Sequence, residues 1–396
     1  MNKQYTINDF FCGCGGIAIG FQNAGFKVKW ACDFDKFCVK TYAHNVGDWV
    51  READVTKITY KDIPKADGWT FGFPCQDLSV AGKQAGFQFR CLDCGTEWKH
   101  EHEGLSPICP KCGATNYTAI TRSACFFEIM RLLDETKRNA PENYPCFLLA
   151  ENVKGLKPYI PVLKEQLEQR GFDVHIQLYN SKYWNVPQNR ERYFIVATPK
   201  GKGNFKFPEE QHEYVPKLSS ALDKEVDEKY YIPDEKARQI INSNSDIYGS
   251  YEQICKDTGL MDVEKCGKTL RVGGRGSLTK EHNYQHILID DTFGFDNNIR
   301  VYGEYLPTIR SGRQGLKISE IKERKERLRV RRLTPTEYGR LQAFPVDDNW
   351  EQVVSDTQAY KQFGNSVTTT VVTAIATAIK KYLDDRESEN NARKCL

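Results

Sequence analysis

Between residues 5 and 200, short apolar runs alternate regularly with segments of helical spacing. Thr6 to Phe11 and Lys27 to Cys32 are strand candidates, and Cys146 to Ala150 is a continuous apolar run. Parallel strands that are buried on both faces have such continuous apolar sequences, and a helix between successive strands gives a βαβ unit. The alternation therefore predicts an α/β fold with a doubly wound, Rossmann-like sheet and helices on both faces.

Composition narrows the class of protein without giving its function. The chain has 396 residues and a net charge of only +3, which by itself indicates no partner. The longest apolar runs fall far short of the roughly 20 residues that span a bilayer, and Met1 to Phe10 lacks the apolar core of a signal peptide. We therefore expect a cytoplasmic protein without a membrane partner, in which the 14 cysteines are not a disulfide framework.

A glycine-rich turn, Asp9 to Gly16, follows the first predicted strand and opens a helix. Glycines there let the backbone approach a ligand closely, and the helix N-terminus favours negative charge. Asp33 ends the second strand and could bind ribose hydroxyls, while Asp54-Val55 follows the third strand, where the acid could meet an adenine amino group. These residues predict a nucleotide-type cofactor, with NAD as one candidate; an ordinary tight turn with solvated acids remains the alternative.

A proline-cysteine turn, Gly72 to Gln76, stands at the end of another predicted strand. Ligand sites of open α/β sheets lie at the carboxyl ends of strands, so Cys75 could be an exposed nucleophile. A lone cysteine is otherwise a small core residue. The polar residues that follow, from Gln76 to Gly86, favour the nucleophile.

Two more polar groups stand at strand ends. Glu151 directly follows the apolar run that ends at Ala150, and burial there could raise its pKa so that it holds a proton. Arg190 and Arg192 lead into a strand from Tyr193, and a guanidinium suits a carbonyl or a phosphate. A helix-capping acid and a surface charge cluster are the structural alternatives.

Two cysteine pairs interrupt the alternation. Cys91 and Cys94 are separated by two residues, as are Cys109 and Cys112, and Gly95 or Gly113 follows each pair. This spacing is typical of a zinc ribbon, in which two turns present four thiolates tetrahedrally. We predict a structural zinc site within an insertion spanning 88–120, rather than four free thiols.

Several motifs together resemble one family, the cytosine-C5 DNA methyltransferases. Its early motifs are matched by Gly72-Phe-Pro-Cys-Gln76, Glu151-Asn-Val153 and Gln188-x-Arg-x-Arg192, in the family's order. Its late motifs are matched by Arg332-Leu-Thr-Pro-x-Glu337, Arg340-Leu-Gln-x-Phe-Pro345 and Gln362-Phe-Gly-Asn-Ser-Val367. The resemblance covers most of residues 5–198 and 329–384 and replaces NAD with S-adenosylmethionine as the expected cofactor.

The resemblance implies a role for each matched residue. Cys75 would attack C6 of a cytosine flipped out of the duplex, Glu151 would bind N3 and the exocyclic amine, and Arg192 would bind the O2 carbonyl. Arg190 would orient the site or reach a phosphate. S-adenosylmethionine would be bound by Phe11, Gly13, Gly15, Asp33, Phe34, Asp54, Val55, Asn365 and Ser366.

The resemblance also divides the chain into domains. Residues 200–328 correspond to the target-recognition region, where we expect Arg271, Arg275, Arg310 and Arg313, with Gln76, to contact double-stranded DNA. The C-terminal helix would pack back beside the first strand. The catalytic domain would then comprise 1–87, 121–199 and 329–386, with 387–396 as a flexible tail.

Other functions and partners stay open at this point. A transfer-RNA cytosine-5 methyltransferase would use similar chemistry, and a zinc-bearing DNA-binding regulator could keep the scaffold without catalysis. Retention of Cys75, Glu151 and Arg192 together argues against the regulator, and the Gly/Arg-rich recognition region favours DNA. We expect a monomer, and a cognate restriction endonuclease is a further candidate partner.

Overall fold

The structure is a computed structural model, which describes residues 3–74, 87–100, 107–233, 235, 288–290, 300–302, 316–321 and 328–394. The chain divides into two compact units. The first unit comprises Met1–Tyr179, Glu191–Glu210 and Val367–Leu396, and the second comprises Asn180–Arg190 and Gln211–Ser366.

The described strands and helices follow the predicted alternation in the first half of the chain. The strands are β1 (Thr6–Phe10), β2 (Lys27–Asp33), β3 (Val50–Glu52), β4 (Gly68–Phe71), β5 (Phe87–Cys91), β6 (Glu97–His100), β7 (Tyr117–Ala119), β8 (Phe147–Val153), β9 (Phe172–Asn180), β10 (Glu191–Pro199), β11 (Leu288–Asp290), β12 (Arg300–Tyr302), β13 (Leu316–Ile321) and β14 (Leu328–Arg332). The helices are α1 (Gly16–Asn23), α2 (Lys36–Asn45), α3 (Cys125–Asn139), α4 (Ile160–Gln169), α5 (Pro335–Arg340), α6 (Asp356–Asn365) and α7 (Thr369–Lys394).

A seven-stranded sheet lies at the centre of the first unit, in the order β3-β2-β1-β4-β8-β10-β9. Strands β1 to β4 and β8 pair in parallel, whereas β10 pairs antiparallel with β8. All four residues of β4 and the first four of β8 are buried, as strands covered on both faces should be. The carboxyl ends of β1, β4 and β8 share one edge of this sheet.

Helix α7 packs against helix α1, and a glycine permits the close approach. A Cβ atom placed on Gly20 would lie 2.5 Å from Cβ of Val372, so only glycine allows this distance. Near the other end of α7, Asp384 accepts a hydrogen bond of 3.0 Å from the Tyr5 hydroxyl. The C-terminal helix was expected beside the first strand; it lies against α1.

Two element boundaries differ from expectation. Strand β8 was expected to end at Ala150, where its parallel partner β4 ends, but it continues to Val153 because antiparallel β10 pairs with its last residues. Helix α7 continues to Lys394, so residues 387–394 are helical rather than a frayed tail. Glu, Asn, Ala and Arg residues there extend a helix that is already nucleated by packing.

The second unit contains a four-stranded antiparallel sheet, in the order β12-β11-β13-β14. Helix α5 begins with a capping box, in which the Thr334 hydroxyl accepts from the Glu337 amide and the Glu337 carboxylate accepts from the Thr334 amide. Arg331 and Glu337 form a fully buried ion pair, at 2.8 Å from Nη1 to Oε2.

No helix in the described ranges is both long enough and apolar enough to cross a bilayer.

Candidate active site and cysteine cluster

The glycine-rich turn after β1 is built from left-handed backbone. Phe11, Gly13 and Gly15 have φ angles of 53°, 54° and 98°. A Cβ on Gly15 would lie 2.6 Å from Cγ2 of Val46, so a larger residue is excluded there. Around Gly13, by contrast, no described atom lies within 4 Å of a placed Cβ, so that position leaves room for a ligand.

Asp33 connects this turn to the end of β2. Its carboxylate accepts hydrogen bonds from the backbone amides of Gly13 and Asp35, both at 2.9 Å, and only 8% of the residue is exposed. The next residue, Phe34, is 58% exposed although it is a large apolar side chain. An acid that accepts hydrogen bonds beside an exposed aromatic ring suits a ribose next to a flat heterocycle.

Asp54 and Val55 follow β3 as expected. The Asp54 carboxylate accepts from the amide and hydroxyl of Thr56, at 3.0 and 2.8 Å, and its side chain is 44% exposed. Val55 is buried. The acid is therefore held in one orientation while part of it stays accessible.

Asp9 is the first residue of the glycine-rich turn, and the sequence alone predicts no function for it. It is fully buried in β1 and accepts a hydrogen bond of 2.6 Å from the Thr70 hydroxyl. Burial raises the pKa of Asp9 to about 7, a shift that the Thr70 hydroxyl opposes and the negative charge of Asp33 increases. The only signal in the sequence was a charged residue within an apolar strand.

Glu151 and Arg192 form an ion pair at the edge of the central sheet. Arg192 Nε lies 3.2 Å from Glu151 Oε1, and the two side chains are about one tenth exposed, 11% for the glutamate and 10% for the arginine. Antiparallel pairing of β8 with β10 brings them together, because Arg192 stands opposite Val153 and Phe194 opposite Glu151. Both residues predicted for one catalytic centre therefore lie side by side.

Asn152 connects this pair to the proline-cysteine turn. Its side-chain amide donates a hydrogen bond of 3.0 Å to the carbonyl of Phe73. A Cβ placed on Gly72 would lie 3.6 Å from Glu151 Oε2, so the turn passes close to the carboxylate. Cys75 and Gln76, the next residues predicted to act, lie outside the described residues, as do Arg271, Arg275, Arg310 and Arg313.

Arg190 lies in the second unit and is only 1% exposed. Its guanidinium donates to the backbone carbonyls of Gly364, at 3.4 Å, and Ser366. These carbonyls flank the Asn365-Ser366 turn that ends α6. Its surroundings fit the orienting role proposed for it and not the phosphate contact, because a buried guanidinium that already binds carbonyls does not reach solvent.

Gln188 of the same motif is fully buried, and neither polar atom of its side-chain amide has a hydrogen-bond partner among the described residues. Burying such atoms without partners costs about 1–3 kcal/mol, and no pattern in the sequence indicates a role for Gln188.

The four cysteines of the two CxxC pairs converge. Their Sγ atoms all lie within 4.8 Å of one another, with 3.6 Å between Cys91 and Cys112 and 3.5 Å between Cys94 and Cys109. Zn–S bonds of about 2.3 Å in a tetrahedron place sulfur atoms about 3.8 Å apart. The cluster thus has the donor set and size for one zinc ion.

The backbone around the cysteines has the form of two equivalent turns. The amides of Gly95 and Gly113 donate to the carbonyls of Cys91 and Cys109, at 3.0 and 2.9 Å, and both glycines have φ of 73°. A three-stranded antiparallel sheet in the order β6-β5-β7 carries them. We call residues 87–121, including this sheet and the cysteines, the cysteine module.

Comparison with known proteins gives the family. The family model for C-5 cytosine-specific DNA methylase matches residues 5–90 and 111–381, and thus leaves out 91–110, which carry three of the four cysteines. The type II methyltransferase M.HpaII of Haemophilus parainfluenzae is 32% identical over 403 residues, covering 97% of this chain and 90% of its own. The orphan methyltransferase M.SPBetaI of Bacillus phage SPbeta is 28% identical over 455 residues, covering 98% and 100%.

A solved structure, the Entamoeba histolytica methyltransferase EhMeth, shares the fold with a TM-score of 0.57 at 17% identity, over 97% of this chain and 99% of that one. The predicted Rossmann-like methyltransferase fold and the predicted family are confirmed, and the rival functions are not favoured. The chain belongs to the C-5 cytosine-specific DNA methylase family and is a DNA (cytosine-5)-methyltransferase.

Proposed function

We propose that this methyltransferase acts on a cytosine flipped out of duplex DNA, within a specific sequence, through a covalent bond between Cys75 and C6 of the ring. The observation that carries the proposal is the Glu151–Arg192 pair, 3.2 Å apart at the sheet edge beside the Gly72-Phe73-Pro74 turn. A carboxyl and a guanidinium side by side match the polar edge of cytosine, which offers N3 and an amine next to a carbonyl.

Each proposed catalytic residue acts on a named atom of the base. The Cys75 thiolate attacks C6, which makes C5 electron-rich. Glu151 forms hydrogen bonds with N3 and the exocyclic amine and supplies a proton to N3, while Arg192 forms a hydrogen bond with O2. Once C5 carries the transferred methyl group, loss of the C5 proton to water restores the C5–C6 double bond and expels the Cys75 thiolate.

The glycine turn and the acids after β2 and β3 fit S-adenosylmethionine as the cofactor, which supplies an electrophilic methyl group when bound. Phe11, Gly13 and Gly15 would let the backbone approach it, and Asp33 would hold the ribose. Phe34, with its exposed ring, and Asp54-Val55 would enclose the adenine. The Asn365-Ser366 turn, whose flanking carbonyls Arg190 holds, would complete the set.

The DNA partner and the zinc ion belong to the same proposal. Gln76 and the arginines 271, 275, 310 and 313 would contact double-stranded DNA, and the four cysteines would hold one structural zinc with no open coordination position. Because M.HpaII is a type II methyltransferase, we also propose a role in restriction–modification, which pairs the enzyme with an endonuclease of the same target.

A covalent trap tests the mechanism. A duplex that carries 5-fluorocytosine at the target blocks loss of the C5 substituent, so the wild-type enzyme should form a stable adduct and Cys75→Ser should not. The variant should still bind duplex DNA, because phosphate contacts dominate affinity. Bisulfite sequencing of host DNA identifies the target first; near-normal turnover of Cys75→Ser would rule out the covalent route.

A further inference from the structure

A continuous line of aromatic rings joins the cysteine module to the proline-cysteine turn. Phe89 of β5 lies 5.0 Å from Phe127 of α3, measured between ring centroids, and Phe127 lies 5.4 Å from Phe126. Phe126 in turn lies 5.6 Å from Phe73, which precedes Cys75 by two positions in the sequence. All four rings are at most 2% exposed and belong to one hydrophobic core.

The buried face of strand β5 contains both a predicted metal ligand and residues of this core. Phe87, Phe89 and Cys91 alternate along it and are all buried. The ring of Phe87 contacts Phe127 at 5.3 Å and Tyr159 at 4.7 Å. Strand β5 therefore contributes Cys91 to the cluster and also contributes Phe87 and Phe89 to the hydrophobic core.

In the described part of the cysteine module, rings from β6 and β7 pack on the buried side of β5. These rings, Trp98 of β6 and Tyr117 of β7, both pack on Phe89, at 5.6 and 4.9 Å. Domains this small do not bury enough surface to fold alone, and in zinc modules the metal supplies the folding free energy. Without metal, the sheet that encloses Phe89 would lose the constraint that the four cysteines add.

We propose that metal in the four-cysteine cluster fixes Phe89 against Phe127 and, through Phe126, fixes Phe73, from which the chain runs through Pro74 to the proposed nucleophile. Phe89, Phe127, Phe126 and Phe73 are positioning residues in this scheme. The inference rests on the proposed covalent role of Cys75. A displacement of about 1 Å at a nucleophile lowers rates about a hundredfold, so a small shift of Phe73 suffices.

The first test removes two ligands with Cys109→Ser and Cys112→Ser together in the full chain. Zinc content, S-adenosylmethionine affinity and the single-turnover rate on the target duplex are measured for this variant and the wild type. We expect loss of zinc, cofactor affinity within about twofold, and a single-turnover rate at least about tenfold lower. A normal rate without zinc would overturn the inference.

The second test keeps the cysteines and interrupts the line of rings. Phe127→Leu is compared with Phe172→Leu, a control in the same core whose ring stacks on Tyr144 instead, at 5.7 Å. Both should lower the melting temperature to a similar extent and leave zinc bound. Only Phe127→Leu should lower kcat, with KM for DNA unchanged. Equal rates for the two leucine variants would overturn the inference.

The outcomes separate this inference from the proposed function. If the wild type forms no adduct with the 5-fluorocytosine duplex, the covalent role of Cys75 fails and the positioning argument fails with it. If the wild type forms the adduct and binds zinc, but loss of zinc leaves the rate unchanged, only the positioning argument fails.

Discussion

Two arginine–glutamate pairs in this chain join the same two side-chain types and differ in their surroundings. In the second unit, the Glu337 carboxylate accepts four hydrogen bonds: two from Arg331 and two from the backbone amides of Asp223 and Thr334, all between 2.7 and 2.9 Å. In the first unit, Glu151 meets Arg192 at 3.2 Å, and both side chains are partly exposed. The Arg331–Glu337 pair is closed to any ligand, whereas a ligand can still reach the Glu151–Arg192 pair.

The difference separates an ion pair that stabilises the fold from one that we propose acts in the reaction. A carboxylate with two oxygens has about four acceptor sites, and Glu337 has filled them all with protein donors. Breaking such a buried pair exposes an uncompensated charge to the core. Glu151 lies beside the turn at Gly72 and keeps part of its side chain exposed, so we expect its energetic role in the proposed reaction rather than in folding.

Glu337→Gln should give the largest effect and should act on stability alone. Gln cannot neutralise the buried Arg331, so the free energy of unfolding should fall by about 3–5 kcal/mol. Thermal melting and urea unfolding measure it. Glu168→Gln, which breaks an exposed pair with Lys164, is the control and should cost under about 1 kcal/mol. A loss for Glu337→Gln as small as that of the control would remove the contrast between the pairs.

Glu151→Gln should have the opposite profile. Gln keeps a hydrogen-bonding side chain but cannot supply the proton, so single-turnover methylation should slow about a hundredfold or more. The melting temperature and DNA affinity should stay close to those of the wild type. Stopped-flow mixing of the preformed DNA complex with labelled cofactor measures the rate. An unchanged rate combined with a lower melting temperature would make this pair structural as well.

Asp9→Asn tests a buried carboxyl whose partner is a hydroxyl instead of an arginine. Of the three substitutions, it should change the measured property least, here the pH dependence of the melting temperature. Because burial raises the pKa of Asp9 to about 7, the folded state binds the proton more tightly than the unfolded state, where it is lost near 4. Stability from this group is therefore present below pH 4 and is lost as pH rises through 7. The fall in melting temperature from pH 5.5 to 8 should be smaller in Asp9→Asn; an equal fall would assign it to other groups.

Local patterns in the sequence predicted the elements whose causes are themselves local. The two CxxC spacings predicted four cysteines that do converge, because each turn is set by a few neighbouring residues. The apolar runs predicted the buried parallel strands. The capping box at Thr334 and Glu337 is a local pattern too, whereas the contact of Glu337 with the amide of Asp223, 114 positions away, has no local signal.

The differences arise where distant residues decide the structure. Strand β8 extends past Ala150 because β10 pairs with it, and no pattern within residues 146–153 shows that partner. For Arg190 the sequence left two roles open, orienting the site or binding phosphate. It could not decide between them because the carbonyls that Arg190 binds are 174 and 176 positions away. Long-range pairing and burial of charge are thus what the sequence alone left undetermined.

The packing of α7 on α1 bears on how the enzyme is made. Val372, which covers the face of α1 that contains Gly20, is synthesised more than 350 residues after it. During translation the cofactor turn before α1 therefore belongs to an uncovered helix, while most of the chain has still to emerge. The nascent chain should therefore acquire its full affinity for the cofactor only after α7 has left the ribosome.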